Sequence, residues 1–313
     1  MLKEEFISKI EGVERIASAS KIERMLRHPF KYLNAIFFRE IVYKKSRNEK
    51  EVVSNTFFQT QMHLLLPSST DIYLIGGKSH DSEIRLAKFL IHQLNSGDTF
   101  IDVGAHYGYF SLLASKLVGS SGKVFGFEAS PTTYRIFQKN ANRMENVVGH
   151  NLAISDANAP LKFYEFPNLY SEYNSLDIEQ FKNEKWFSEN KPKEVTIESI
   201  MLDDFFIDKK LTPKVIKIDV EGAELKVIKG FKKHLLENTP LVVIEYLSDE
   251  RGNIAHVEAE KLLESLGFQS HIIDSKGNLQ QVKSISSFFK EKGLESDNIV
   301  FVKRTSASGT KFL

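Results

Sequence analysis

Three acidic residues in the second half of the chain have the spacing of an acid–base site. Asp219 and Glu221 lie two residues apart, so an extended segment would turn both side chains to one face, and Glu245 follows later in the chain. A carboxylate within hydrogen-bond reach of a hydroxyl can take its proton as a new bond forms at the oxygen. We expect Asp219 to be this base, with Glu221 or Glu245 holding the acceptor or tuning Asp219. Glu224 better suits the N-terminus of the next helix, where negative charge is favourable.

Two other chemistries stay open for the same region. His106 and His150 are alternative bases because histidine titrates near neutrality, although a lone histidine is more often structural. Several carboxylates facing one cleft could instead hold Mg²⁺ or Ca²⁺. No His or Asp spacing singles out a metal, so the sequence predicts no metal site.

A glycine turn around residue 104 has the pattern of a nucleotide site. Residues 100–110 are typical of a strand, a turn containing Gly104 and Gly108, and the start of a helix. Glycine permits the tight turn and the close approach of backbone to a ligand. Asp102 is placed to meet a cationic amino group or the amides of the turn. Glu128 ends the next apolar run, where an acidic side chain can accept hydrogen bonds from both ribose hydroxyls.

The residue between the two glycines distinguishes two cofactors. His106 would crowd the pyrophosphate of a dinucleotide, for which the usual pattern is G-x-G-x-x-G. S-adenosyl-L-methionine has no pyrophosphate. The spacing therefore favours S-adenosyl-L-methionine over a nicotinamide cofactor.

Alternating strands and helices must position these residues. The pattern predicts a Rossmann-like α/β fold with a mostly parallel sheet covered by helices on both faces, so that Asp219 and Glu245 end two strands at the ligand-binding edge. A hairpin over 57–66 and 71–74 and a helix over 82–94 are expected to precede the sheet. The core pattern predicts strands over 99–103, 124–127, 147–153, 214–218 and 241–244, helices over 110–117, 131–143, 223–230 and 255–266, and closing strands over 270–273 and 298–302.

Two segments are expected to supplement the core. Residues 1–55 are typical of a basic, amphipathic helical accessory segment, and residues 56–313 of the main domain. We expect the basic face of the first segment to be solvated, or to support a homo-oligomer, in preference to a contact with a membrane surface or a polyanion. Residues 166–195 are the expected acceptor loop. Their aromatic side chains suit a sugar ring, or else pin the loop to the core.

Composition excludes several classes of function. The chain of 313 residues has no cysteine, so disulfides, thiolate metal sites and a cysteine nucleophile are excluded. Its 42 Lys and Arg balance 41 Asp and Glu, which gives no electrostatic case for a nucleic-acid partner. The N-terminus lacks signal-peptide features, and no apolar run reaches the ~18 residues of a membrane span. We therefore expect a soluble, cytoplasmic protein without a transmembrane segment.

The sequence resembles the FkbM-type methyltransferases over roughly 78–304. Two departures occur, since His106 stands where asparagine is usual and Ala129 where proline is usual. The matching motifs are Phe100–Gly108 (FIDVGAHYG), Phe127–Pro131 (FEASP), Asn151–Asp156 (NLAISD), Val243–Glu245 (VIE) and, most diagnostic, Ile216–Glu224 (IKIDVEGAE).

The resemblance implies a class I methyltransferase fold and methyl transfer to a hydroxyl, often on a sugar, glycolipid or secondary metabolite. Alternatives are another small-molecule or protein nucleophile, or a catalytically silent protein that kept the cofactor fold. Together with the turn and strand-end residues, the matching motifs imply a cofactor site built from Asp102, Gly104, His106, Gly108, Glu128, Ala129, Ala153, Ser155 and Asp219.

Overall fold

The computed structural model describes residues 2–182 and 184–304. Asn183, within the expected acceptor loop, and residues 305–313, the end of the expected main domain, lie outside the described residues. The strands are β1 (Lys50–Asn55), β2 (Gln61–Leu66), β3 (Thr99–Val103), β4 (Lys123–Phe127), β5 (Val147–His150), β6 (Ala153–Ile154), β7 (Leu161–Glu165), β8 (Lys193–Ile197), β9 (Ser199–Ile200), β10 (Val215–Ile218), β11 (Leu241–Leu247), β12 (Phe268–Ile273), β13 (Leu279–Gln281) and β14 (Ser296–Lys303).

Helices cover both faces of the sheet and extend the N-terminus. A π-helical stretch, Phe38–Tyr43, joins α3 to α4, and 3₁₀ turns span Asn168–Tyr173, Glu179–Phe181 and Asp249–Arg251. The α-helices are α1 (Leu2–Ser18), α2 (Lys21–Arg27), α3 (Pro29–Phe37), α4 (Lys44–Ser46), α5 (Thr70–Ile75), α6 (Asp81–Gln93), α7 (Tyr109–Val118), α8 (Pro131–Ala141), α9 (Leu202–Lys209), α10 (Glu224–Lys229), α11 (Lys232–Glu237), α12 (Ile254–Ser265) and α13 (Ile285–Lys292).

The central sheet has the strand order β13-β12-β14-β11-β10-β3-β4-β5. The five strands from β11 to β5 are parallel, whereas β14 pairs antiparallel with β11 and β12. Every residue of β10 is buried, because helices cover a parallel sheet on both sides. The prediction of a Rossmann-like, mostly parallel sheet is confirmed.

Alternation along the strands divides the core into two layers. Phe100 of β3 belongs to the layer that includes α1, α6 and α7, while its neighbour Ile101 belongs to the layer beneath α9 to α12. Successive side chains of a strand point to opposite faces. Polar residues two apart, such as Lys217 and Asp219, can therefore meet on one face at the end of the sheet.

The expected hairpin is wrong in its pairing. Strand β2 pairs antiparallel with β1, which begins at Lys50, and residues 70–75 form helix α5. Asp71 accepts hydrogen bonds from the amides of Ile72 and Ser79, and Gly76, at φ 74°, ends the helix. A short apolar run such as that of α5 fits a helical turn as well as a strand, so periodicity alone could not distinguish a helix from a strand here.

The expected third strand is also divided. Strand β5 ends at His150, and β6 starts at Ala153 in a separate pair with β9. At the N-terminus, α1 packs against α6 through buried Phe6, Ile10 and Val13. Within residues 2–182 and 184–304, no helix has both the length and the apolar run needed to cross a bilayer.

Candidate active site

A cleft of about 530 Å³ opens where the parallel strands end. Residues after β3, β4 and β10 and residues of β11 reach it, as expected for the carboxyl edge of an open α/β sheet. Of the residues expected at the site, the cleft is lined by Gly104, His106, Glu128, Ala129, Ala153, Asp219, Glu221 and Glu245. Asp102, Gly108 and Ser155 are not among its lining residues.

The two glycines of the first turn have different functions. Gly104 has φ 78°, and a Cβ at this position would overlap the carbonyl oxygen of Asp219. Its missing side chain lets the turn after β3 approach the backbone after β10 closely. Gly108 has φ 87°, and a Cβ there would lie 2.5 Å from the ring of Phe137, so Gly108 serves helix packing.

Glu128 is a buried carboxylate directed at the same turn. Its oxygens accept hydrogen bonds from the amides of His106, at 2.8 Å, and Ser130, at 2.9 Å. Burial raises the pKa of Glu128 to about 8, against the opposing effect of these two amides. His106 has φ 50°, a left-handed conformation that histidine, like asparagine, adopts more readily than most residues.

A buried lysine, which sequence reasoning did not single out, connects two of the expected site residues. Lys217 of β10 is 3% exposed, and its Nζ lies 3.0 Å from Oδ2 of Asp219 and 3.7 Å from Oδ1 of Asp102. The other oxygen of Asp102 accepts a hydrogen bond from Ser111 Oγ at 2.6 Å. The cationic amino group that Asp102 meets is therefore that of Lys217, and Asp102 positions the lysine beneath the cleft.

Asp219, Glu221 and Glu245 come together as predicted for an acid–base site. Burial, the largest single effect, would raise the pKa of Asp219, but the charge of Lys217, hydrogen bonds from Glu245 and Lys217, and the charge of Lys78 together hold that pKa below its usual value. Burial first, and then the charge of Asp219, raise the pKa of Glu221 and of Glu245 well above the ordinary range. Glu245 donates a hydrogen bond to Asp219. The cluster therefore combines an ionised aspartate with glutamates that hold their protons strongly.

The spacing of these carboxylates would also admit a cation. One oxygen from each of Asp219, Glu221 and Glu245 lies within 4.8 Å of the other two. Oxygen ligands of this kind suit Mg²⁺ or Ca²⁺. Lys217 already supplies a positive charge to Asp219, so the expectation of no metal site stands as a prediction.

The two histidines are poorly suited to act as the base. Burial lowers the pKa of His106 to about 3, and its Nε2 lies 3.1 Å from Ser171 Oγ. Burial also lowers the pKa of His150, whose ring stacks at 5.0 Å on Phe127 and is not part of the cleft lining. A neutral imidazole with a low pKa is a weak proton acceptor near pH 7.

The segment after β5 contributes small side chains to the cleft wall. Ala153 lines the cleft next to Leu152 and Ile154. Ser155 is buried behind them, where its hydroxyl donates to Asp156 at 3.2 Å. Its expected contact with the cofactor stays a prediction and would have to be indirect.

The expected acceptor loop both lines the cleft and packs on itself. Residues 171–174 form part of the cleft wall. Outside the wall, Trp186 stacks on Tyr170 and Tyr173 with ring centroids 4.5 and 5.1 Å away. Of the aromatic side chains in this stack, Tyr173 alone lines the cleft. The aromatic residues therefore mainly fix the loop, and its polar residues Ser171, Glu172 and Asn174 line the cleft.

A second charged group lies on the cleft wall opposite the strand ends. Lys78 is paired with Glu83 at 2.8 Å, and Asp71 and Glu172 add further negative charge near it. These charges hold the pKa of Lys78 above its usual value despite burial, which acts in the opposite direction. These four charged residues belong to α5, α6 and separate loops, so no local sequence motif could have identified the group.

The comparisons with known proteins agree with this geometry. Residues 102–270, more than half of the chain, match the family described as the methyltransferase FkbM domain. "Methyltransferase 1" of Beauveria bassiana is 31% identical over 187 residues, which cover 55% of this chain and 72% of that protein. "Hexuronic acid methyltransferase AglP" of Haloferax volcanii is 24% identical over 160 residues, covering 50% of this chain and 59% of that protein.

Among solved structures, a methyltransferase FkbM from Methylobacillus flagellatus aligns over 66% of this chain and 43% of its own length, with 14% identity and a TM-score of 0.40. The residues matched by the family include the turn at Gly104, Glu128 and the cluster of Asp219, Glu221 and Glu245. The chain belongs to the FkbM methyltransferase family and is an S-adenosylmethionine-dependent methyltransferase with the class I fold.

Proposed function

We propose that this enzyme methylates a hydroxyl group of a saccharide, either a free glycan or a sugar carried by a lipid or secondary metabolite. The observation that carries the proposal is the cluster of Asp219, Glu221 and Glu245 in the cleft, where carboxylates can orient a hydroxyl and take its proton. The similarity to the hexuronic acid methyltransferase of Haloferax volcanii supports the saccharide class.

The cofactor half of the cleft fits S-adenosyl-L-methionine. Gly104, Ala129 and Ala153 line the cleft without bulky side chains, which leaves room for the ligand. Glu128 offers carboxylate oxygens for the ribose hydroxyls. When bound, the cofactor supplies an electrophilic methyl group on its sulfonium.

The carboxylate cluster serves the acceptor. Asp219, kept ionised by Lys217, accepts a hydrogen bond from the acceptor hydroxyl and aligns its oxygen with the methyl group. Such alignment is itself a large part of catalysis. The low pKa of Asp219 makes it a weak base when it acts alone. Glu221 and Glu245 have raised pKa values and already carry protons, so the released proton goes to Asp219, the ionised member, and from there to solvent.

Two further expectations accompany this proposal. We place the enzyme in a reducing, cytoplasmic compartment, for which the absence of cysteine is suitable. We also retain the division into a helical accessory segment and a catalytic domain, with the boundary before β1 (Lys50–Asn55) and not after residue 55, because β1 pairs with β2.

An acceptor screen tests the proposed function. Purified enzyme and isotopically labelled S-adenosylmethionine are incubated with nucleotide sugars, oligosaccharides and glycolipids, and products are analysed by mass spectrometry. We expect a labelled methyl ether on a sugar hydroxyl, and no labelling with Asp219→Asn. Labelling of a nitrogen, a carbon or a protein side chain in the same assay would contradict the proposal while leaving the family assignment intact.

A further inference from the structure

The helices between residues 21 and 46 carry a row of apolar side chains that face solvent. Intervals of three and four residues place such side chains along one side of a helix. Phe30 is 88% exposed and Leu26 is 70% exposed. The members of this apolar row, all exposed, are Ile22 and Leu26 in α2, Phe30, Leu33 and Phe37 in α3, and Ile41 in the π-helical stretch.

The same helices already use another face to pack on the enzyme. Phe38 and Tyr43 are buried against Leu66 of β2, and Ala35 is also buried. The apolar row is therefore additional to the face that these helices need for folding. Exposed apolar side chains beyond those needed for folding, concentrated in one short segment, indicate an interaction site.

The apolar row lies within the most basic stretch of the chain. Residues 21–47 contain eight lysines and arginines but two glutamates. Both glutamates have local contacts: Glu23 caps α2 through Ser20, and Glu40 pairs with Arg39 and Lys44. Lys31 lies over the ring of Tyr73 and Arg47 donates to Asn190. Lys21, Arg27 and Lys45 are exposed, however, so this segment is positively charged although the whole chain has a net charge of only +1.

We propose that this face docks on an anionic lipid membrane. Apolar side chains entering the headgroup region, flanked by lysines and arginines that meet lipid phosphates, are the features that hold a helix in the membrane interface. A second copy of the chain fits less well, because an interface between two identical rows would bring two basic surroundings together. A soluble polyanion would match the charge but would leave Phe30 and Leu26 in water.

Docking in this way would bring the cleft close to the membrane. Arg39, in the π-helical stretch, lines the cleft, and the hydroxyl of Tyr43 accepts a hydrogen bond from the amide of Leu169 in the loop that forms the cleft wall. The docking proposal does not depend on the proposed acceptor. If both proposals hold, the acceptor is a sugar carried by a lipid.

Vesicle flotation tests the docking directly. The full chain is mixed with vesicles of phosphatidylcholine alone, or of phosphatidylcholine with phosphatidylglycerol, at low and at high salt. We expect flotation with the anionic vesicles, lost at high salt, and little with the neutral ones. Each basic side chain near an anionic surface contributes about fivefold to partitioning, so K21Q/R27Q/K45Q should weaken binding roughly 100-fold.

A second pair of variants separates apolar insertion from charge. F30S/L33S should lower partitioning at least about tenfold, because two apolar side chains no longer leave water. The matched control is I207S/I254S, whose side chains are 69% and 74% exposed and lie outside this segment. All these positions are exposed, so each variant should keep wild-type affinity for S-adenosylmethionine by calorimetry, which confirms folding.

Three results would overturn the proposal. The first is no flotation with anionic vesicles, or equal flotation with neutral ones. The second is an F30S/L33S variant that floats as well as wild type. The third is a concentration-dependent dimer in lipid-free buffer that F30S/L33S dissociates, which would assign the row to a second copy of the chain. Any of these results would remove the support for a lipid-carried sugar but would leave the proposed methylation of a saccharide hydroxyl untouched.

Discussion

Replacing Lys217 with methionine should destabilise the protein by about 3–5 kcal/mol, because breaking a buried ion pair leaves an uncompensated charge. Lys217 Nζ lies 3.0 Å from Asp219 and 3.7 Å from Asp102. At an effective dielectric constant near 20, these contacts correspond to roughly 5.5 and 4.5 kcal/mol of attraction before desolvation is subtracted. Methionine preserves most of the volume of the side chain, so the loss should reflect charge more than a cavity.

The loss of stability caused by Lys217→Met should depend on pH. Without the ammonium group, the pKa values of Asp102 and Asp219 in the folded protein should rise, since Lys217 lowers both. A carboxyl whose folded pKa exceeds its unfolded value costs no stability below the unfolded pKa and its full penalty above the folded pKa. The variant should therefore be closer to wild type at about pH 4 than at about pH 8.

Urea unfolding at both pH values measures this effect. Lys88→Met is a matched control, since Lys88 is equally buried and pairs with Glu14 at 2.8 Å away from the cleft. Both variants should lose stability, but only Lys217→Met should also shift the pH profile of methyl transfer, because only Lys217 contacts Asp219. A deficit below about 1 kcal/mol, or one that does not change with pH, would refute the reasoning about this ion pair.

Three more results are expected. Asp219→Asn should keep cofactor affinity and lose ~10²–10⁴-fold in single-turnover methyl transfer; near wild-type turnover would shift the base to Glu221 or Glu245. Glu128→Ala should weaken cofactor binding by roughly 0.5–1.5 kcal/mol or more for each lost hydrogen bond, and unchanged affinity of this variant would remove Glu128 from the site. In the wild type, the affinity measured by calorimetry should rise as the pH passes through about 8, because ribose hydroxyls donate to the ionised carboxylate of Glu128. Treatment with a chelator should leave turnover unchanged, because Lys217 supplies the positive charge at Asp219; activity that only Mg²⁺ restores would contradict this.

The order of strands and helices is predictable from the sequence because the sheet is buried on both faces. The four residues of β10 are all buried, and its apolar run stands out between polar loops. Residues at strand ends follow from that order, which is why Gly104, Glu128 and Asp219 are found at one cleft. Short segments are harder to assign, as α5 shows, because a few apolar residues carry no decisive period.

Side chains that depend on tertiary contacts are the main gap in prediction. Lys217 looks like an interruption in an apolar strand, and its function becomes evident only when Asp102 on the neighbouring strand β3 lies across from it. The signal was nevertheless available: Lys217 and Asp219 are two residues apart, so both lie on one face of the strand. Lys78 and Glu172 had no such signal, because they belong to different loops that meet only in the fold.

One buried cation accounts for the different states of the three cleft carboxylates. Without Lys217, three acidic groups within 4.8 Å would compete for protons, and none would have a defined state. The ammonium group contacts Asp219 directly at 3.0 Å and therefore makes it the ionised member. The resulting charge on Asp219 raises the pKa of Glu221 and Glu245, beyond the larger effect of their burial. The strand that carries the lysine thus helps to determine which carboxylate can bind a hydroxyl and accept its proton.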